Sequence, residues 1–340
     1  MTTIGTHSGA FQADEALGVW LLRKLPQYAS ATLTRTRDNE KLAPLTIVID
    51  VGGSYVHDSL RYDHHQRGFF ETFDGKPGVA TGPEDATGTY KTKLSASGLV
   101  YKHYGRDILG ILHPSLRENP EMLEWVFDRQ YVSFMEGLDA NDNGIEISDT
   151  VKYKEGTTLP LRVARLNERW NAPKGGPTED ERFEKAVALC GSEFDESLEY
   201  IVNCELPARV LVEDALKARF SVHPSGQVVV FSTGGCPWKT HLYELERLHK
   251  VESLVKFVLY QDNSGMWRVQ AVTAEGTAFT NRLGLLEEWR GLRDADLIKA
   301  SGIEGGKFVH ATGFIGGNAT YEGALAMAAA TMEKAAAPVS

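Results

Sequence analysis

Along the first 110 residues, the hydrophobic positions follow two alternating rhythms. "TIGTH" (3–7), "SATLTR" (30–35), "LTIVIDVGG" (45–53) and "RYDHH" (61–65) are short apolar or β-branched runs that predict strands. "ADEALGVWLLRKL" (13–25) and "LSASGLVYKHYGRDILGIL" (94–112) space their apolar residues as helices do. Strands alternating with helices predict an α/β fold with a parallel sheet. Residues 74–90, rich in Gly, Pro, Thr and Asp, predict an exposed loop of unusual length. "PEMLEWVFDRQYVSFMEGLDANDNG" (120–144) reads as a long helix ending in an acidic loop. The pattern then breaks into polar residues over 146–160, and "LPLRVARLNERWN" (159–171) and 179–219 read as helices. A second α/β unit follows, with strands at "QVVVFST", "SLVKFVLYQ", "WRVQAVT" and "KFVHATGF" and a helix at "CPWKTHLYELERLHK". Its last strand leads through a glycine-rich loop, "IGGNAT" (315–320), into the helix "YEGALAMAAATMEKA". The expected organisation is a parallel-sheet domain over 1–155, a helical connector over 156–219 and a smaller α/β domain over 220–340.

Composition narrows the class only a little. With 340 residues, 42% hydrophobic and 24% charged, the chain has the balance of a soluble globular protein of two domains. No apolar run reaches the length of a membrane span, so no membrane partner is expected. "MTTIGTHSG" enters strand-like sequence at once, with neither a signal peptide nor an Arg-rich transit pattern, which predicts an intracellular location. Cys190, Cys204 and Cys236 lack zinc-ribbon or redox spacing and read as reduced thiols, mostly buried. A formal charge of −10 argues against a generic nucleic-acid coat protein. It leaves room for a nucleic-acid enzyme, because clustered carboxylates that bind cations also count as negative charge.

Ligands of an open parallel sheet collect at the carboxyl ends of its strands. His7, Asp50 and the run Asp63, His64, His65 fall at such ends, Asp14 opens the first helix, and Asp139 and Asp142 lie in "LDANDNG". Each has a structural alternative taken singly. His7 can be a hydrogen-bonded loop residue, Asp14 and Glu15 helix-start carboxylates, Asp50 part of a turn before two glycines, and "DANDNG" a solvated turn. Two adjacent histidines after an aspartate on a buried strand have little structural use. Taken in order, the set reads as a metal site. Carboxylates and imidazoles without thiolates suit Mn2+, with Mg2+ and Zn2+ as alternatives. So many ligands suit two divalent ions, which at about 3.5–4 Å apart are a standard means of hydrolysing phosphate esters.

"THSGAFQADEAL", "IVIDVGG", "RYDHHQRGFFETF", "TKLSASGLVYKHYGRDIL", "LDANDNGI", "RVARLNERWN", "CPWKTHLYELE" and "FVHATGFIGGNATYEGALAMA" together resemble the melanocyte-proliferating-gene-1 exonuclease family, nearly end to end. That family resembles the DHH phosphoesterases, which include RecJ nucleases and family II pyrophosphatases. The resemblance implies a DHH domain, a smaller substrate-binding domain and a cleft between them. It implies a metal-dependent 3′ to 5′ exonuclease that cuts single-stranded RNA to nucleoside monophosphates, in nucleus and mitochondrion. By motif position it implies that Asp50 bridges two ions, that His7 binds the first, and that Asp14, His64 and Asp139 bind the second. It places His65 at the scissile phosphate. The family motif reads Phe-His-x-Asp-Glu where this chain reads "FQADE", so Gln12 stands where a metal-binding histidine is expected. A neutral amide oxygen is a weaker donor to a transition metal, so reduced activity is expected.

Further candidates surround that core. "GFIGGNAT" resembles the phosphate-end loop of DHH-associated domains, and Gly316 and Gly317 there would offer backbone N–H groups before a helix. The alternative is a plain tight turn. Lys239, His241 and His310 are candidate phosphate contacts. Arg67, Lys91, Lys93, Lys102, His103, Arg106, Arg165 and Arg169 are candidates for a basic rim, with Phe69, Phe70 and Trp170 as stacking surfaces. Each also has a solvated or core reading. Two functional alternatives stand beside the exonuclease: a small-molecule phosphatase or pyrophosphatase of the DHH type, and a non-hydrolysing RNA-binding protein.

Overall fold

Ile47, Val48 and Ile49 are apolar without alternation because both faces of their strand are covered. They form β3 (Ile47–Ile49) at the centre of a five-stranded sheet. In the computed structural model, which describes residues 1–150 and 152–337, this sheet runs β2 (Thr32–Arg35), β1 (Thr3–Thr6), β3, β5 (Arg61–Tyr62), β4 (Tyr55–Val56). The first four strands are mutually parallel, so they deliver their carboxyl ends to one edge. The four expected strands thus form the expected parallel sheet, and a short edge strand that the pattern did not predict, β4, pairs antiparallel to β5. Two residues after a glycine turn are too short to show a period.

Helix α1 (Ala13–Lys24) packs against α3 (Ala96–Leu112) and α7 (Glu179–Tyr200), and α2 (Asn39–Leu42) is a single turn before β3. The approach of α1 to the sheet is close: a Cβ on Gly18 would lie 2.8 Å from Ile49 Cδ1. Helix α4 (Pro120–Gln130) continues through a π-helical turn (Tyr131–Met135) into α5 (Glu136–Asp142). The expected acidic loop "LDANDNG" is thus largely the last turns of a helix. Residues 74–90 carry no helix or strand, as expected for the long loop.

The chain divides into two compact units, Met1–Ile201 and Val202–Ser340. The segment expected as a connector is shared between them. Helix α6 (Leu159–Ala164) and α7 pack on α1, and α8 (Leu206–Val222) packs on β6 (Val228–Phe231). Val151 and residues 338–340, inside the first and third expected domains, lie outside the described residues. Among the described residues no helix is long and apolar enough to cross a membrane.

The second unit is a mixed sheet in the order β6, β7 (Phe257–Gln261), β8 (Trp267–Ala271), β10 (Ile315–Asn318), β9 (Gly306–Val309). Only β6 and β7 are parallel. Alternation along β7 separates two cores. Phe257 and Leu259 pack with α11 (Tyr321–Ala336), and Val258 packs with α8 and α9 (Lys239–Leu248). The helix α10 (Asp294–Ser301) precedes β9.

The glycine-rich loop expected at 315–320 is mostly a strand. Gly316 and Gly317 sit in β10, paired with β8 on one side and β9 on the other. They are glycines because neighbours press on them. A Cβ on Gly316 would lie 3.0 Å from Leu285 Cδ1 and Met327 Cε, and one on Gly317 2.8 Å from Phe308 Cε1. The backbone groups expected to cradle a phosphate therefore belong to a sheet. Gly317→Val should lower the stability of the protein by about 1–3 kcal/mol through overpacking. Denaturant unfolding checks this, and an unchanged midpoint would contradict the packing reason for the glycine.

Candidate metal centre

The turn after β3 sets the geometry of the carboxyl edge. Asp50 closes that strand with φ 57°, in the left-handed region that costs an L-residue energy but that Asp tolerates best after Gly and Asn. Strain of that kind is found where a side chain must point in one direction. Here it points the carboxylate between two groups of side chains. Asp50 Oδ2 lies 3.3 Å from His7 Nε2, and Asp50 Oδ1 lies 3.4 Å from His64 Nε2. His7 follows β1, and His64 follows β5, so the parallel register brings both to the same edge.

Three sets of potential ligand atoms lie within 4.8 Å of one another: His7, Glu15 and Asp50; Asp14, His64 and Asp142; and Asp50, His64 and His65. Asp14 and Glu15 stand in the first turn of α1, where the helix dipole favours negative charge. His7 Nε2 is 3.0 Å from Glu15 Oε1, and His64 Nε2 is 2.9 Å from Asp142 Oδ2. Asp14, Glu15, Asp50, His7 and His64 are all buried.

So much buried negative charge shifts every proton equilibrium nearby. Burial alone would lower the His7 pKa, but hydrogen bonds and charge from Asp50 and Glu15 outweigh it and push it up to about 10. His64 rises to about 9, burial again being overcome by Asp142 and Asp50. Burial raises Asp14 well above the usual carboxylate range, with Asp50 and Asp142 adding to it. Burial works the same way on Asp50, yet His64 and His7 bring it below its ordinary value.

Several of these atoms make no well-aligned hydrogen bond although they are buried and some lie close together: both Asp14 oxygens, Asp50 Oδ1, both His64 nitrogens and Asp142 Oδ2. An unsatisfied buried polar atom typically costs about 1–3 kcal/mol, more when charged. A multivalent cation would satisfy them together, and oxygen with imidazole donors are the ligands such an ion takes. The acidic and histidine clusters are thus compatible with divalent metal binding.

Asp139 is not part of the cluster, which corrects the expectation that it stands beside His64. It is fully buried; its Oδ1 accepts from Ser95 N at 3.0 Å and Ser95 Oγ at 2.7 Å, and its Oδ2 accepts from Tyr131 Oη at 3.0 Å. Burial raises its pKa to about 7 in spite of those bonds. It ties the start of α3 to α5, while Asp142, one turn later on the same helix, reaches His64. Asp63, the first residue of the "DHH" run, also works as a support. Its Oδ1 accepts from His65 N and lies 2.8 Å from His65 Nδ1, and its Oδ2 accepts from Gly53 N. That leaves His65, with 61% of its side chain exposed, presenting its other nitrogen outward.

Gln12 is exposed and lines a cavity of about 470 Å³ with His7, Ala10, Arg37, Asp50, Asp63 and His65. Lys93 is half-buried over the Phe69 ring; burial lowers its pKa against the opposing charges of Asp142 and Asp63, which places it at the same edge. Arg67 and Arg169 are exposed, and Arg165 is exposed with its guanidinium on Gly156 O. Trp170 is 98% exposed. Other rim candidates have structural partners. Lys91 donates to Ala86 O, Lys102 pairs with buried Glu71, and Arg106 pairs with Glu124. His103 stacks on His57 with ring centroids 3.8 Å apart, and its Nε2 lies 2.7 Å from Tyr55 Oη.

In the second unit, Lys239 and His310 share a cavity of about 500 Å³ with Thr273, Phe279, Asn281 and Phe314. His241 does not join them. It is buried on the inner face of α9, its Nε2 2.8 Å from Glu205 O.

A sheet edge that gathers buried carboxylates and histidines for divalent cations defines a candidate metal-dependent enzyme. The family profile of the MYG1 exonucleases, described as an uncharacterised protein family (UPF0160), matches residues 3–332. The chain is 48% identical to a mouse MYG1 exonuclease over 342 residues, 99% of this chain and 86% of the mouse protein. It is 47% identical to a human MYG1 exonuclease over 335 residues, 97% and 85% of the two chains. A Dictyostelium discoideum MYG1 protein is 44% identical over 335 residues, 98% and 97%. The chain belongs to the MYG1 exonuclease family, which supports a nuclease-type function. No solved structure matches it.

The two helix α5 aspartates separate under mutation. Asp142→Asn should weaken divalent-ion binding by at least tenfold and leave the fold stable. Asp139→Ala should lower unfolding free energy by about 1–3 kcal/mol, because Ser95 and Tyr131 lose a buried acceptor. Calorimetric metal titration and denaturant unfolding on both variants check this, and the reverse pattern would exchange their roles.

Proposed function

We propose that the protein is a metal-dependent 3′ to 5′ exoribonuclease that hydrolyses phosphodiesters with two divalent ions, Mn2+ by the donor chemistry, and releases nucleoside monophosphates. The observation that carries this reading is the Asp50 carboxylate, which offers one oxygen to the His7 group and the other to the His64 group. A carboxylate shared in that way is what a two-ion phosphoesterase centre needs. His7, Glu15 and Asp50 would hold the first ion, and Asp14, Asp50, His64 and Asp142 the second. When bound, the ions supply an acidified water and neutralise charge on the reacting phosphate. RNA as substrate and the polarity of digestion rest on the family resemblance.

The chain's own side chains have assignable parts. His65, with Nδ1 held by Asp63, directs its outer nitrogen at the cavity, where it can donate to a phosphate oxygen. Lys93 and Arg67 supply positive charge on the same unit. In the second unit, Lys239 and His310 offer donors beside Phe279, which is 94% exposed, and Phe314, faces on which a base can stack. Gly316, Gly317 and His241 have no part in this reading.

Gln12 favours a second reading. The first group carries a neutral amide in place of an imidazole, so it should hold its ion loosely, and the chain then binds RNA but turns it over slowly. End-labelled RNA incubated with Mn2+, with products read at nucleotide resolution, tests both. A ladder shortening from the 3′ end by single nucleotides is expected, slowly for this chain and at least tenfold faster for Gln12→His. Internal cuts, or no cleavage by either protein across a Mn2+ titration, would contradict the exonuclease reading. Equal rates for the two would remove position 12 from the site.

A further inference from the structure

Among the described residues, no strand pairs with the loop that carries His7 and Gln12. It links β1 to α1, and its backbone groups are met by side chains from elsewhere. Arg37 Nε donates to Ser8 O at 3.0 Å. Gly9 N donates to Glu179 Oε1 at 2.7 Å, and Arg35 Nη2 donates to Gly9 O at 2.9 Å. Gln12 N donates to Glu15 Oε1 at 2.9 Å. The closest imitation of a strand partner is made by Asn167. Phe11 N donates to Asn167 Oδ1 at 2.9 Å, and Asn167 Nδ2 donates back to Phe11 O at 2.8 Å.

A primary amide is the side chain that can make this two-way bond, because it carries one acceptor and one donor on a single plane. Phe11 is fixed a second time through its ring, which is buried and packs edge-on to Phe183 of α7 with centroids 5.5 Å apart. With both the ring and the peptide groups of Phe11 held, the direction of the next residue, Gln12, is set. Asn167 lies in "RLNERWN", in the turn after α6, and no role in chemistry accounts for it otherwise.

We propose that Asn167 is a positioning residue: through its two bonds to Phe11 it holds position 12 and the His7 loop against Asp50, and so tunes the first group of ligands while leaving the second alone. The residues that the second group does not share with the first lie outside this loop: Asp14 is in α1, His64 follows β5 and Asp142 ends α5. The proposal rests on reading the His7 group as a cation site, and its test separates the two ideas.

The test uses the full chain carrying Asn167→Ala or Asn167→Asp. The aspartate keeps the acceptor but turns the donor into a second acceptor facing Phe11 O, so both variants should behave alike. Mn2+ binding by electron paramagnetic resonance should show the weaker class of site loosened by about 10–100-fold, the usual effect of losing a partner that orients ligands. The tighter class should stay within twofold and the melting temperature close to the parent. Hydrogen exchange needs no metal: the Phe11 and Gln12 amides should exchange at least tenfold faster in the variants, with the amides of α7 unchanged. If Mn2+ shows a single class of site, the two-group reading fails, and faster exchange confined to Phe11 and Gln12 still supports the clamp. Unchanged exchange at both amides, or loss of both metal classes in parallel with the melting temperature, would overturn the proposal.

Discussion

Buried negative charge at one edge of a parallel sheet is the constraint on which this structure turns. Asp14, Glu15 and Asp50 are almost wholly removed from water, and the buried histidines His7 and His64 stand against them. Carboxylates so placed cost several kcal/mol each unless a cation or protons compensate. In the protein alone, the two imidazoles supply part of that compensation, and the carboxylates beside them push the His7 and His64 pKa values up in spite of burial. A pair of divalent ions would do so better and would at the same time give the edge its chemistry.

Much of the first unit serves to hold that edge. Asp50 is turned by a left-handed backbone and followed by Gly52 and Gly53, which also take positive φ. Asp63 spends its carboxylate on His65 and Gly53, and Asp139 spends its own on Ser95 and Tyr131. The turn after α6 and the start of α7, which look like a linker in the sequence, provide Asn167 and Glu179 for the loop after β1. The contribution of these groups is geometric: they fix ligands that would otherwise repel one another.

The edge itself was legible because its signals are local. His7, Asp50 and His64 end predicted strands, and a parallel sheet must collect such residues on one side. Asp139 and Asp142 could not be told apart in that way. They share a helix face, and their difference lies in partners 44 residues away and in the sheet edge, neither of which a local pattern contains. Glu15 was explained sufficiently by the helix dipole, so its contact with His7 was missed. The two glycines of β10 carry turn chemistry locally, and the reason for them, Phe308, Leu285 and Met327, becomes visible only when the sheet is assembled. His241 is different, because the signal was present. It shares the buried stripe of α9 with Leu242, Leu245 and Glu246, and helical periodicity places it inside.

The central claim is that one carboxylate serves both groups of ligands. The direct measurement is Mn2+ stoichiometry and affinity in Asp50→Asn, beside the parent chain. Asparagine tolerates the same left-handed backbone, so the fold should survive while the charge is lost. Binding should weaken in both classes of site at once, by more than any change confined to one group produces. Loss of a single class, with the other at its parental affinity, would contradict the shared carboxylate and with it the two-ion centre.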